Sequence, residues 1–521
     1  MQDRATANNR KPNESSRALD IPIARNAARR SLALFCVTLA LYLLTSAGRL
    51  RVMDEYMVFF QTESLAQSGT LAVPQARQLG AWYGKEGRDG LPYGPYGPAH
   101  AMVLVPSYGF GKLLTRAPGV PSGSADLVTG FSVVSFQAVL AALAVVLFHT
   151  LLGSLGVSPA RALLMSFGLA FATPLWSYAG TLFSEAWTTL LLLAATVAVE
   201  RSTRAEQVQP APAAVAGVLL ALVILTRAVH ALAAVLFGAA LLFGPGERAR
   251  RWHAFVCLGG TSAVGLAAYL LYNHSLFGSP FDFGYPQETD TGTTVLAFNQ
   301  ALSVGIFGFL LSPGKSVILF APPLLAAVAG LPRLWQHRRP LAVIAIAPLL
   351  AYLFLYAGYR HWEGGYCYGP RYLVPLIPLT LLGLAPMLDK AGGRARRLVL
   401  WLCAAGLFVQ TPGVFTSFLE EQVGSGTYYD AEFKYRIAHN PIASQGWLLV
   451  GYTGEALRGN ALASPLGKGL DLWFLFLRKG GVSWAAIGAL VMLQCLLLVV
   501  GLVLLRTHSA RRCAVRLRPP L

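Results

Sequence analysis

Charge and cysteine are what this chain has least of. Only 13% of its 521 residues are charged, and the acidic ones number 24 against 42 Lys and Arg. So little charge argues against a water-soluble enzyme of this length. The 55% apolar content and the apolar runs recurring from residue 31 to residue 506 define a polytopic α-helical membrane protein instead. The six cysteines (Cys36, Cys257, Cys367, Cys403, Cys495 and Cys513) form no CxxC pair and no Cys/His cluster at metal spacing, so neither a disulfide framework nor a zinc site is indicated. GxSxG and HExxH are absent, no internal repeat of fixed period is visible, and "PGKS" fails as a phosphate loop because the required glycine falls on Phe309.

Apolar stretches lie at 31–49, 127–151, 161–178, 183–200, 212–227, 229–243, 252–273, 314–331, 341–357, 371–388, 398–413 and 484–505. At roughly 20 residues per crossing they predict about twelve transmembrane helices. The basic clusters "IARNAARR", "ERSTRAE", "GERARR", "PRLWQHRRP", "DKAGGRARR" and "RTHSARRCAVRLR" then all face the cytoplasm, with both termini inside. Residues 99–114 are apolar too, but a crossing there would reverse every later basic loop. Interrupted by Pro106, Gly109 and Gly111, they read as an interfacial or re-entrant helix. The net charge of +18 is absorbed by the inner face, and no nucleic-acid partner is needed. Residues 31–47 precede the small-residue stretch "TSAG" like a signal peptide, and the expectation is that this helix is retained.

The division expected is a basic cytoplasmic tail (1–30), a transmembrane catalytic module (31–413) whose first outer loop is 50–126, an outer loop (414–483), and a final helix with a basic tail (484–521). A third long outer stretch is 274–313. Inner loops are short, so function faces outward. The first outer loop opens with a helical "DEYMVFFQTESLAQSG" and continues into "DGLPYGPYGPAH", where Gly and Pro forbid regular structure and Tyr93 and Tyr96 offer flat, hydrogen-bonding surfaces to a substrate. "LDLWFLFLRKGG" reads as another interfacial helix. The aromatics of "TYYDAEFKYRIAHNP" either stack on an acceptor sugar or belong to a structural cap.

Asp54 and Glu55, adjacent just beyond the first apolar run, are the sharpest candidates for chemistry. An acidic pair at a helix end can simply be solvated, but here an aromatic helix follows and would hold it at the membrane surface. A carboxylate there can take a proton from a hydroxyl while a lipid-anchored donor approaches from the bilayer. Glu185 lies where one apolar run ends and the next begins, a position that is usually functional or paired. Lys315 and Arg371 each start a span on the same side, with His361 and Glu363 near Arg371 in sequence; they either snorkel to headgroups or clamp a phosphate. Arg227 interrupts an apolar run at a tight hairpin and is a weaker candidate for the same clamp. The histidines, His100 and His230 among them, are dispersed and read as structural.

Taken together, "DE" after the first span, interfacial helices in the first outer loop, the acidic residue in "PLWSYAGTLFSE", "FGFLLSPGKSVILFAPPLL", "NHSLFGSPFDFGY" and "YGPRYLVPLIP" resemble the GT-C superfamily of polyprenyl-phosphate-sugar-dependent glycosyltransferases. The bacterial members similar to protein O-mannosyltransferases and lipid A aminoarabinose transferases are the nearest in pattern, over most of 31–413. The resemblance implies Asp54 as general base, Glu55 as its neighbouring partner, and Glu185 as a second acidic residue near acceptor or sugar. It further implies a polyprenyl-phosphate sugar donor among membrane lipids, an outer-facing site in the plasma (inner) membrane, and an acceptor that is a protein, lipid or glycan. A lysine-proline motif common in the family's early loop is replaced here by "LPYGPYGP", which shifts the expected phosphate clamp to Lys315 and Arg371. No cofactor is indicated; some members of the superfamily use a divalent metal and others do not. The alternatives are a flippase or transporter for a lipid-linked saccharide, which would carry charges at mid-span, and an O-antigen-type ligase or polymerase, which gives an acidic pair no special place.

Overall fold

A computed structural model describes residues 14–79, 84–285, 298–389, 393–424, 440–462 and 468–516. Helices dominate, and six are long and apolar enough to cross a membrane: Asn26–Thr45, Ser122–Ser154, Arg248–Phe277, Arg339–Ala357, Gly393–Phe415 and Trp484–Arg506. Of the other expected spans, 183–200 is an unbroken helix, Glu185–Thr203, 212–227 and 229–243 form the shorter Pro210–Ile224 and Ala231–Leu241, and proline breaks the remaining three. Pro322 and Pro323 divide one run into Val317–Phe320 and Pro323–His337. Pro375 and Pro378 turn another into the tight helical turns Arg371–Leu376 and Ile377–Thr380. Pro174 separates Pro159–Phe171 from Leu175–Tyr178.

Within the expected outer loop 274–313, the uncharged "LSVGIFGFLL" forms the helix Leu302–Leu311. One expectation needs correction. The Gly/Pro stretch of the first outer loop is not wholly irregular, because Lys85–Glu86 pairs antiparallel with Pro92–Tyr93. Gly90, at φ 74°, supplies the turn. Pro92 needs no N–H there, and its carbonyl accepts from Val73 N at 2.7 Å. The aromatic stretch 427–439 lies outside the described residues.

Packing follows the rules of helices in lipid. Arg248–Phe277 lies along Pro210–Ile224, where a side chain at Gly265 would collide with Ala221, and Ser262 Oγ donates to the Gly217 carbonyl at 3.2 Å. On the same helix Val264 and Leu271 are 69% and 68% exposed, as expected of a face turned to acyl chains. The first and last membrane helices pack together. Beside the Thr45 end of the first and the Trp484 end of the last, Asp471 binds Arg49 at 2.7 Å and Arg51 at 3.1 Å, while Trp473 N donates to the Ser46 carbonyl at 3.0 Å. This clasp ties the segment before the last membrane helix to the segment after the first, immediately before Asp54.

Candidate active site

Asp54 enters the site from the first turn of the helix Met53–Ser68, whose start is fixed by its neighbour. Glu55 is fully buried. Its Oε2 accepts from the backbone N–H groups of Arg51 and Val52 at 2.6 and 3.2 Å, and its Oε1 from Leu182 N at 2.8 Å. Such charge-assisted bonds are strong, and they satisfy amides that the helix start would leave orphaned. Glu55 therefore staples the Asp54 turn to the segment that carries Phe183, Ser184 and Glu185.

Opposite comes the loop 358–371. Its terminal Arg371 is held by two carboxylates at once: Nη1 lies 2.6 Å from Asp54 Oδ2 and Nε lies 2.9 Å from Glu185 Oε1. The guanidinium also lies over the Phe183 ring at 3.7 Å. Glu185 and Arg371 are buried, whereas the Asp54 side chain keeps 41% of its surface exposed. Burial pushes the Asp54 carboxyl upward, but Arg371, then Arg227 and the Tyr96 hydroxyl, outweigh it and hold it below its ordinary value.

Asp54 opens on a narrow cleft of about 10 Å³ that it lines with Tyr96, His100, Ser184, Arg227 and Arg371 among others. Arg227 stands in extended backbone between two helices, at the break after Ile224. The helix Pro98–Leu114 is stitched to this break by Gly97 N and Ala99 N, which donate to the Thr226 and Leu225 carbonyls at 3.2 and 3.3 Å. A side chain at Gly97 would overlap Leu225 O, so only glycine permits the approach. Arg227 lies over the Tyr96 ring, 5.2 Å from its centroid. It makes no ion pair among the described residues, and its buried Nε has no hydrogen-bond partner. The same residue also lines a second cavity of about 400 Å³, walled by Tyr269, Phe283, Tyr356, Tyr359 and Tyr372 together with aliphatic side chains. Arg227 is thus the cation shared by a polar cleft and an apolar chamber.

Asp54, Glu185, Arg371, Arg227 and Tyr96 come together as a group. Lys315 does not join them: its ammonium, 3% exposed, donates to the Cys367 carbonyl and contacts its sulfur, each at 3.1 Å. Gln422 donates to the same carbonyl at 3.2 Å. Both therefore brace the loop that ends in Arg371. Tyr93 turns away from the cleft, its hydroxyl on Asp89 Oδ2 at 2.7 Å. His361 and Glu363 stand 3.9 Å apart and do not line the cleft. Sequence reasoning passed over Thr226 and Ser184 and read His100 as structural; none carries a motif, and they enter the cleft only through tertiary packing. Among the described residues no group of three or more His, Cys, Asp or Glu is placed to hold a metal ion.

Neither a protein-family model nor a curated protein sequence matches the chain. Among solved structures it is similar to ArnT from Cupriavidus metallidurans in the apo state, at 16% identity over 94% of this chain and 77% of that one, TM-score 0.46. The same protein bound to undecaprenyl phosphate gives 16% identity over 91% and 76%, TM-score 0.44. The Archaeoglobus fulgidus oligosaccharyltransferase tethered with an acceptor peptide gives 13% identity over 74% of this chain and 54% of that one, TM-score 0.41. At these identities and scores the likenesses leave the chemistry to be read from the site itself.

Proposed function

We propose that this chain is an inverting glycosyltransferase, moving a sugar from a polyprenyl-phosphate donor to an acceptor hydroxyl at the outer face of the plasma membrane. The observation that carries the proposal is the position of Arg227, a cation without a carboxylate partner among the described residues, on the wall between the Asp54 cleft and a large aromatic chamber. An amphiphile with an anionic head and an isoprenoid tail matches both sides of that wall: the chamber takes apolar units next to the head, and Arg227 takes the phosphate.

The acceptor hydroxyl then attacks the anomeric carbon from the cleft side. Asp54, one oxygen on Arg371, accepts the hydroxyl proton. The bond to the phosphate oxygen breaks, and its electron pair leaves on a phosphate that is already ionised. No acid is needed, unlike the two-carboxylate arrangement of a glycosidase, and a single displacement inverts the sugar carbon. Arg227 stabilises the charge gathering on the phosphate, a contribution of about 3 kcal/mol for one preorganised contact. Arg371, between two carboxylates, serves to aim Asp54 and keep it ionised. The reaction as drawn asks for no metal.

In this proposal the twelve apolar runs cross or enter the bilayer with both termini inside, and 414–483 caps the acceptor side. The test is transfer in proteoliposomes by wild-type and Asp54→Asn protein. Loss of transfer with lipid binding intact supports the base; sugar transfer undiminished in the variant sinks it, and lipid movement without any transfer favours a flippase.

A further inference from the structure

His100 lies in the first turn of Pro98–Leu114, 2% exposed, on the wall of the Asp54 cleft. Its Nε2 stands 2.7 Å from Gln137 Nε2, the amide nitrogen of a side chain that is itself fully buried. As the Gln137 amide is oriented, with its Oε1 also lacking a partner among the described residues, its nitrogen donates, so the imidazole accepts there and carries its proton on Nδ1. That Nδ1 is buried and has no partner among the described residues. Burial, and then Arg227, push the imidazole down to about 3, so it is neutral at physiological pH. Elsewhere a buried histidine ring of this protein finds its partner within the protein, as His230 Nδ1 does with the Tyr352 hydroxyl at 3.0 Å. A buried donor left unmade is costly, and a fixed tautomer with an unused N–H on a cleft wall is a feature that a ligand completes.

We infer that His100 is a specificity-determining residue, whose Nδ1–H donates a hydrogen bond to a sugar hydroxyl oxygen that enters the Asp54 cleft, with Gln137 fixing the tautomer. This rests on the glycosyl-transfer proposal for the same cleft. The bond changes no covalent partner; it orients the sugar so that its anomeric carbon faces the acceptor and its phosphate faces Arg227. A site built to meet a hydroxyl also discriminates against a sugar that lacks it, because the buried donor is then left unpaired.

Asparagine places an amide N–H near the Nδ1 position, and glutamine places one near Nε2. Sugar transfer is therefore measured in membranes carrying the native substrates, for wild type, His100→Asn, His100→Gln and His100→Phe, alongside thermal unfolding of each full-length chain. The expected order is wild type, then Asn within about tenfold, with Gln and Phe down by about a hundredfold at matched melting temperature. Rates that follow melting temperature, or Asn and Gln variants that behave alike, overturn the role. Long-range 15N–1H correlation spectra of the ligand-free wild-type chain, with labelled histidine in nanodiscs, give a second readout independent of activity. A protonated Nδ1 at His100 is expected, and an Nε2–H tautomer overturns the inference. Absence of transfer by wild-type membranes would instead count against the glycosyl-transfer proposal, and the tautomer spectrum still tests His100.

Discussion

Arg371 Nη1 stands 2.6 Å from Asp54 Oδ2, joining the first helix turn after the first membrane span to a loop 317 residues later in the chain. Because Glu185 holds the other edge of the same guanidinium at 2.9 Å, Arg371 is neutralised and Arg227 is left to meet an anion. In the proposed mechanism this division of labour between two arginines separates an aiming residue from a substrate-binding one.

Arg227→Gln should lower transfer by about 10²- to 10³-fold and weaken binding of undecaprenyl phosphate, while leaving the melting temperature close to wild type. Arg371→Gln should instead lower the melting temperature, because it leaves the buried Glu185 carboxylate unpaired. Binding titrations and thermal unfolding on the same preparations distinguish the two.

The pH dependence follows from the Asp54 pair. Arg371 and its neighbours hold the carboxyl below its ordinary value, so Asp54 is ionised throughout the physiological range. The ion pair's contribution to stability is complete above the ordinary carboxylate value of about 3.9 and is lost as pH falls through the lower folded value. The acid limb of kcat/KM should therefore lie below about 3.9 in wild type. In Arg371→Lys, whose point charge cannot make both bonds, it should move upward. A profile of transfer against pH for the two proteins checks the direction.

Glu55→Gln removes the charge from an acceptor of three buried amides and should cost about 3 kcal/mol of stability, read in thermal or chemical unfolding. Its effect on transfer should be secondary, through displacement of the Asp54 turn. Glu55 staples the turn that carries Asp54, and a glutamine can still accept some of the bonds.

Lys315→Met should leave the affinity for undecaprenyl phosphate unchanged and lower kcat by loosening the loop braced at Cys367. A raised dissociation constant with unchanged kcat would return Lys315 to the phosphate clamp that the sequence suggested.

The apolar runs and the proline breaks within them are local properties, and every run read as a span is helical. Asp54, Glu185, Arg371 and Arg227 were legible because a charge at the end of an apolar run is conspicuous. Their partners were not. Whether Arg371 or Lys315 meets Asp54 depends on how a glycine-rich loop returns to the first helix, and no periodicity encodes that. The hold of Glu55 on three backbone amides was not legible either, because adjacency to Asp54 in sequence does not reveal that successive residues on a helix start point in different directions. His100 was read as structural because its unpartnered nitrogen exists only once Gln137 and the cleft are assembled.

The most direct test of the central claim is mass spectrometry of cell-envelope glycans from a strain lacking the protein, complemented with wild type or with Asp54→Asn at equal membrane abundance. The account predicts a sugar modification that wild type restores and Asp54→Asn does not, with the polyprenyl-phosphate sugar accumulating in the mutant strain. Full restoration by Asp54→Asn would contradict it.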